Sequence, residues 1–286
     1  MRVEFRNHTM IYVTKADGSR QPFDRSKVYR TCLKMGLPKE HIEAICRKLE
    51  ERIYDGISTR DILRIIREEA SILDSIYSWI TDLRSSISRL RSKPDFEQYA
   101  RLILESLGFQ VAPNQLIQGE CVEYELDGLV VRDNQVYILE VKHHVNSHEK
   151  VDLTVVLKVR AIIEDLLSGY EKKINQVKIS GGYIVTNAKF TDHALRYAKC
   201  KGINLIGWGV SEDIEKIIVE NRLQPITIIS DLDEEELWSL ADKGIVTLKQ
   251  LTMFTADRLS VVTGIRADRC EEIIAKAYEA YRRLGG

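Results

Sequence analysis

Alternating apolar and polar positions predict a β-hairpin in the middle of the chain, at residues 121–144. Two runs rich in Val, Ile, Leu and Tyr are joined by a polar turn at 132–134, which is typical of two paired strands. Side chains alternate between the faces of a strand, so Glu140 and Lys142 share one face. The acidic positions of the first strand, which end at Asp127, share a face as well.

Apolar residues at helical spacing predict helices on both sides of this hairpin. One helix begins after Pro94 and ends near Gly108, and a long helix is expected over Glu149–Leu167. Further strands and a helix continue the pattern to Trp208. We therefore expect an α/β domain with a mixed sheet that is flanked by helices.

The two ends of the chain show different patterns. Residues 10–73 predict a strand pair and three small helices, with Asp24 as N-cap of the first and Ser58 at the start of the last. Residues 226–286 predict an all-α segment. We therefore expect an α+β multi-domain chain that consists of four segments: 1–73, 74–93, 94–225 and 226–286. The basic connector 74–93 either contacts a DNA backbone or presents a solvated helix face.

The composition of the chain limits how it could contact nucleic acid or membranes and which cellular compartment is expected. The net charge of −1 divides into +6 for residues 1–93, −4 for 94–225 and −3 for 226–286, so nucleic-acid contacts must use local patches. Five scattered cysteines without close pairs argue against disulfides or zinc and for a reducing cytoplasm. No run of about 18 apolar residues exists, and the first ten residues lack the apolar core of a signal peptide, so no membrane contact is expected.

The hairpin carries the candidate chemistry. Asp127 and Glu140 can hold a hard cation such as Mg²⁺, which accepts one or two protein carboxylates. Lys142 can orient a water molecule and stabilise charge on a phosphate. The alternative is an exposed ion pair beside a solvated acidic edge. His143, His144 and His148 lack metal-ligand spacing and are interpreted as polar loop residues.

The order of motifs over residues 94–210 resembles the Mrr-like branch of the PD-(D/E)xK nuclease superfamily. The motifs are FEQYA at 96–100, LDGLVV at 126–131, ILEVK at 138–142, YIVTN at 183–187 and FTDHALRYA at 190–198. By position, the resemblance makes Asp127 and Glu140 metal ligands, Lys142 the catalytic lysine and Glu97 a supplementary carboxylate. Many Mrr-like proteins have Gln where Glu140 stands. The resemblance implies a DNA substrate, Mg²⁺ or Mn²⁺, and a homodimer as a hypothesis.

The first block resembles the ATP-cone, a nucleotide-binding regulatory module. The match rests on VTKADG at 13–18, PFD at 22–24 and KV at 27–28. It implies that Lys15 and Lys27 contact the triphosphate of ATP or dATP, that Val28 touches the base, and that Thr59 lies nearby. Two departures from the pattern, Ala16 and Leu63, bear on affinity and base choice. The alternative is a module that has lost its ligand.

The last block resembles a pair of helix-hairpin-helix motifs, with turns at 244–245 and 264–265. Such hairpins hold a phosphate on backbone N–H groups and need little net charge. The resemblance implies DNA contacts at Gly264 and Ile265, with charge from Arg266 and Arg269. The acidic run 231–236 is expected to face away or towards a protein partner. A SAM-like interaction module is the alternative.

The three blocks together predict a Mg²⁺-dependent DNA endonuclease that ATP or dATP regulates. Two other functions stay open: a non-cutting protein that binds nucleotide and DNA on a nuclease fold, and a nucleotide-responsive transcription regulator. The set of Asp127, Glu140 and Lys142 argues against both, and the lack of a recognisable helix-turn-helix argues against the second.

Overall fold

The protein is described by a computed structural model that covers residues 10–15, 18–146 and 149–284. Ala16 and His148, named above, lie outside these described residues. The chain divides into two compact units, Met1–Asp82 and Leu83–Gly286. Within the described ranges, every helix is too short or too polar to span a lipid bilayer.

The first unit is a two-stranded ribbon followed by helices. Its elements are β1 (Tyr12–Thr14), β2 (Arg20–Pro22), α1 (Arg25–Lys34), α2 (Lys39–Arg52), α3 (Thr59–Leu73) and α4 (Ile76–Trp79). The Asp24 side chain accepts the Ser26 N–H at 2.9 Å and caps α1. The Ser58 hydroxyl accepts the Asp61 N–H at 3.0 Å and caps α3. Both predicted helix starts are thus confirmed.

The core of the first unit lies between α2 and α3. Residues at helical spacing on α2, including Ile42, Ile45 and Leu49, are fully buried. Ile65 and Ile66 of α3 are buried with them. Burying one such side chain stabilises the fold by about 1.5–3 kcal/mol. The ribbon and helices therefore have a core of their own.

The second unit begins with helices and a sheet. In chain order its elements are α5 (Leu83–Ser88), a helical turn at Ser92–Phe96, α6 (Glu97–Ser106), β3 (Gln110–Gln118), β4 (Glu123–Arg132), β5 (Gln135–Lys142), β6 (Lys150–Val151), α7 (Leu153–Glu171), β7 (Ile179–Thr186), β8 (Lys189–Phe190), α8 (Asp192–Lys201), β9 (Ile203–Gly207), β10 (Glu212–Asp213) and α9 (Ile214–Glu220). The remaining helices are α10 (Glu234–Ala241), α11 (Leu248–Leu251), α12 (Ala256–Thr263) and α13 (Ala267–Leu284).

The sheet has six strands in the order β10-β9-β7-β5-β4-β3. Strands β3, β4 and β5 pair antiparallel, whereas β5, β7, β9 and β10 pair parallel, so the predicted mixed sheet is confirmed. Asp133 and Asn134 join β4 to β5 with φ of 52° and 60°. Positive φ at both turn residues matches the right-handed twist of the strands.

Helices cover both faces of the sheet. Phe96, Tyr99 and Ile103 at the start of the unit pack on one face. On the other face, α7 packs through a row of buried apolar residues. The long predicted helix begins at Leu153 instead of Glu149, because 150–151 forms β6 and pairs with β8. The Asp152 side chain accepts the Thr154 N–H at 2.9 Å and starts the helix there.

The basic end of the connector is built into this second unit. Arg89 donates to the carbonyls of Thr227, Ile229 and Leu232 at 2.9, 3.3 and 3.0 Å. Arg91 donates to the carboxylate of Asp95 at 2.7 Å. A fully solvated helix face is therefore wrong for these two side chains, because internal acceptors engage their guanidinium groups. The alternative, a contact with DNA, stays a prediction.

Candidate metal centre

Asp127 lies where the pairing of β4 is interrupted on both sides. Pairing with β3 skips Asn114 and Asp127, and pairing with β5 ends at Gly128. Asn114 has a φ of 50°, in the left-handed region. One Asp127 oxygen, Oδ2, accepts the Val141 N–H at 2.7 Å. Such irregularities re-aim side chains beside functional sites, and here the side chain of Asp127 takes the place of its backbone as the acceptor for a β5 N–H.

The residue after Asp127 has to be small. A Cβ atom on Gly128 would lie 2.9 Å from the backbone oxygen of Ala112 on β3. Real Cβ atoms essentially never approach a backbone atom that closely. In the Asp127-Gly128 sequence, the carboxylate thus directly precedes a position where the backbones of β3 and β4 approach closely.

Glu140 and Lys142 come from the neighbouring strand β5. Extending the β4–β5 register by one pair beyond Gly128 places Glu140 opposite Asp127 on the same face. Glu140 is buried, at 8% exposure. The Lys142 ammonium lies 3.1 Å from Oε1 of Glu140. The structure therefore brings Asp127, Glu140 and Lys142 to one place.

Two further lysines complete the cluster. Lys158 of α7 donates to both carboxylate oxygens of Glu140, at 3.0 and 3.1 Å. Lys93 lies 2.8 Å from Oε1 of Glu97 and 3.5 Å from Oδ1 of Asp127. The hydrogen bond to Glu97 raises the pKa of Lys93. Each carboxylate of the cluster is thus matched by an ammonium group.

Sequence reasoning missed Lys93 and Lys158, although each left a signal. Lys93 stands four residues before Glu97, and Lys158 falls between Val155 and Val159 of the apolar stripe of α7. A lysine beside an apolar stripe can lay its stem along the apolar surface and bring its ammonium group to an acidic side chain at the edge. Glu97, predicted to supplement the site, is linked to Asp127 through Lys93.

The donor chemistry fits one magnesium-like ion. In the part of the chain that the structure describes, no three His, Cys, Asp or Glu side chains group closely enough to hold a metal. Mg²⁺ does not need three, since it keeps several waters and binds through one or two carboxylates plus substrate phosphate. Asp127 and Glu140 are candidates for such a pair, and in this structure their oxygens contact the ammonium groups of Lys93, Lys142 and Lys158.

Lys158 is expected to compete with a metal for Glu140. Replacing Lys158 with methionine removes that competitor and keeps an unbranched side chain that is one atom shorter. The ion pair is half-exposed, so we expect metal to bind up to about fivefold more tightly, corresponding to at most about 1 kcal/mol. Mn²⁺ titration by calorimetry measures this shift. Lys216→Met, on α9, is the matched control; equal or weaker binding in Lys158→Met contradicts the competition.

The histidines after β5 contact loop and core groups. His143 lies 3.1 Å from the Ile87 carbonyl and packs against Phe96, with ring centroids 5.0 Å apart and ring planes tilted by 49°. Burial lowers its pKa. His144 lies 2.7 Å from a Glu149 carboxylate oxygen. These contacts agree with the interpretation of both as ordinary polar residues.

The predicted nucleotide residues gather around the β1–β2 ribbon of the first unit. A bridge between Thr14 and Ser58 places Lys15 beside the N-terminus of α3, which Thr59 begins. Lys27 is exposed and donates to Gln21 of β2 at 3.1 Å. Two cations and one helix N-terminus thus lie around one ribbon, an arrangement suited to phosphate. Val28, predicted to touch the base, is only 5% exposed and belongs to the core.

The C-terminal hairpin departs from its predicted electrostatics. Gly264 has a φ of +79° and ends α12, as a hairpin turn requires. Arg269, however, lies 2.6 Å from Glu236 and 2.7 Å from Glu272, and Arg266 pairs with Asp268. The acidic run does not face away, because Glu236 and Asp231 turn towards Arg269. A cavity of about 270 Å³ beside the hairpin is lined by Glu236, Arg266 and Arg269 and by two further acidic residues, Asp233 and Glu235.

We expect Arg269 to matter for stability. Its replacement by alanine leaves Glu236, whose side chain is 14% exposed, without its main partner. The free energy of unfolding should fall by about 1–3 kcal/mol. Arg266→Ala, at an exposed site, should change it by less than about 0.5 kcal/mol. Denaturant titration of both variants checks this; a larger loss of stability in Arg266→Ala contradicts it.

Comparison with known proteins matches two segments of the chain to domain families. Residues 11–78 match the ATP cone domain, and residues 89–208 match a restriction endonuclease domain of the Mrr catalytic type. An uncharacterised protein of Archaeoglobus fulgidus is 31% identical over 179 residues, 61% of this chain and 95% of that protein. The crystal structure of the protein of unknown function AF1548 is 30% identical, with a TM-score of 0.55, and the match covers 65% of this chain and 96% of that one. The transcriptional repressor NrdR of Microcystis aeruginosa is 30% identical over 105 residues, 31% of this chain and 60% of the repressor.

Proposed function

The chain belongs to the family of the Archaeoglobus protein and carries an ATP cone domain followed by an Mrr-type restriction endonuclease domain; from that premise we propose that it is a metal-dependent DNA endonuclease that responds to ATP or dATP. The observation that carries the proposal is the meeting of Asp127, Glu140 and Lys142 at the interrupted end of the β4–β5 ladder. Two carboxylates and one ammonium at this point suit hydrolysis of a phosphodiester.

The protein's own groups have separable tasks in that reaction. Asp127 and Glu140 would hold the metal, which when bound polarises the scissile phosphate and lowers the pKa of water. Lys142 orients the attacking water and stabilises charge that develops on the phosphate. Lys158, released from Glu140, supplies a second ammonium for the phosphate oxygens. Buried Glu97 keeps Lys93 close to Asp127.

Nucleotide regulation rests on the first unit. The ATP cone match covers the ribbon and the helices that present Lys15, Lys27 and Thr59. Lysine binds phosphate as a point charge, and the N-terminus of α3 adds its dipole. The proposed effector is thus a nucleoside triphosphate that is bound by the first unit and is not itself cut.

Cleavage of a mixed DNA panel tests the function. Plasmid, single-stranded, nicked and four-way-junction DNA would be incubated with Mg²⁺ or Mn²⁺, with and without ATP. We expect cutting that chelator abolishes and ATP changes. Lys15→Ala should remove the ATP response and leave the basal rate. DNA binding without cleavage under every condition would overturn the nuclease proposal, and an ATP response that survives in Lys15→Ala would overturn the assigned nucleotide site.

The similarity to a transcriptional repressor favours a second candidate. In that case the protein binds DNA in response to nucleotide and does not cut it. The carboxylates Asp127 and Glu140 would then serve as partners of Lys93, Lys142 and Lys158. ATP-dependent binding of duplex DNA, with no product after long incubation with Mn²⁺, would support this candidate over the nuclease.

A further inference from the structure

A second concave site lies in the same unit as the candidate metal centre. The cavity has a volume of about 570 Å³, within the range of small-ligand sites. We call it the Trp238 cleft. Its walls come from the segment before α6, the loop after β5 and the first C-terminal helix, through Ser88, Arg89, Arg91, Val145, Glu234 and Trp238.

The cleft has one large aromatic wall. Trp238 is 42% exposed, whereas Trp208 is 8% exposed. The Arg91 guanidinium carbon lies 5.6 Å from the Trp238 ring centroid. The Arg91 guanidinium is held by ion pairs with Asp95 at 2.7 Å and Asp242 at 2.6 Å. An indole and a planar guanidinium held in this way form a rigid surface on which a flat ring can stack.

The polar groups of the cleft suit a nucleotide. The Arg89 guanidinium lies in its wall, and its hydrogen bonds go to three backbone carbonyls. Among its neighbours in the described part of the chain, the carboxylates of Asp231 and Glu234 act on Arg89 through their charge. The positive charge of Arg89 favours an anion in the cleft, while Glu234 offers an acceptor for an amino group of a base.

The cleft adjoins the carboxylates of the metal centre. Asp95 lines the cleft, and Lys93, two residues earlier, bridges Glu97 and Asp127. On the other side, Val145 follows Lys142 by three residues. Two residues span at most about 7 Å. These short chain separations are the ground for placing, in the cleft, a base that neighbours a phosphate held at Asp127 and Glu140.

We propose that the Trp238 cleft binds an unpaired base of the DNA strand whose phosphate lies at Asp127 and Glu140. A base within a duplex is stacked on its neighbours and cannot occupy the cleft, so the site selects strands that are single-stranded or frayed next to the cut. This inference rests on the proposed function and names its substrate class: DNA with unpaired nucleotides.

Binding by two probes tests the cleft. Single-stranded and blunt duplex oligonucleotides of one sequence would be titrated by fluorescence anisotropy, in the Glu140→Gln background so that neither is cut. Base–aromatic stacking is worth about 1–3 kcal/mol, so Trp238→Ala should weaken single-strand binding by about 5- to 150-fold. Duplex affinity should change by less than about twofold. Trp238→Phe should retain most of the affinity, and Met253→Ala, at another exposed apolar site, should behave as the parent.

The outcomes separate the cleft from the nuclease. Equal losses on both probes, or no loss, overturn the cleft. Tighter binding of an RNA strand of the same sequence, or displacement of the single strand by dAMP at lower concentration than by oligonucleotide, also overturns it. If the wild-type protein cuts no DNA but Trp238 still governs single-strand binding, the cleft stands and the proposed activity fails. If it cuts DNA while Trp238→Ala binds both probes normally, the activity stands and the cleft fails.

Discussion

Replacing Glu140 with glutamine is expected to abolish metal-dependent cleavage. Glutamine keeps the volume of the side chain but removes the charge that a metal would need. Stabilisation of a phosphoryl transition state by a metal is worth several kcal/mol, so the rate should fall on the order of 1,000-fold. DNA binding should be kept or strengthened, because Lys142 and Lys158 lose the carboxylate that they contact at 3.0–3.1 Å.

Steady-state cleavage and anisotropy on the same preparation measure both effects. Glu125→Gln is the matched control, since Glu125 is an exposed carboxylate on β4, two residues before Asp127. It carries the same change of charge and should leave the rate within about twofold. Cleavage by Glu140→Gln at the wild-type rate would remove Glu140 from the site, and a comparable loss in Glu125→Gln would point to a general electrostatic effect.

Replacing Gly128 with alanine is expected to damage both stability and activity. Gly128 is not one of the glycines with a positive φ in the described part of the chain. Its backbone conformation is therefore one that alanine can adopt. The cost is steric: the new Cβ would meet the backbone oxygen of Ala112 at 2.9 Å. Because β3 and β4 must separate to relieve this contact, we expect a loss of about 1–3 kcal/mol in the free energy of unfolding. Asp127 moves with the strand, so cleavage should fall at least about tenfold.

Thermal melting and cleavage rates check this second result. Gly181→Ala on β7 is the matched control, because its nearest neighbour would be the Tyr137 ring at 3.3 Å, a side chain that can turn. We expect the control to lose less than about 1 kcal/mol. A Gly128→Ala protein with the melting temperature and cleavage rate of the wild type would contradict this prediction. It would show that β3 and β4 can accommodate a Cβ atom at this position.

Local patterns explain why part of this protein could be predicted from its sequence. The β4–β5 hairpin follows from alternation and from a turn whose two residues tolerate positive φ. Asp24 and Ser58 mark helix starts because their side chains reach N–H groups only two or three residues away. Asp127, Glu140 and Lys142 could be grouped because strand periodicity and one tight turn fix their relative positions.

The remaining features depend on contacts between distant residues. Strand β3 was not predicted, since Pro113 and its mostly exposed residues hide the alternation. Lys158 meets Glu140 only after α7 has packed on the sheet. Arg269 was predicted to contact DNA. In the structure it pairs with Glu236, which lies 33 residues earlier in the chain. Sequence spacing carries no direct signal for such pairs.

The three carbonyls that accept from Arg89 have a consequence for how the chain unfolds. A fragment ending at residue 225 would lose all three acceptors and would expose core positions that Ala241 and Val246 now cover. The C-terminal helices and the sheet should therefore melt together, whereas the first unit has its own core. Calorimetry should resolve two cooperative transitions, and a nucleoside triphosphate should raise the midpoint of only one of them.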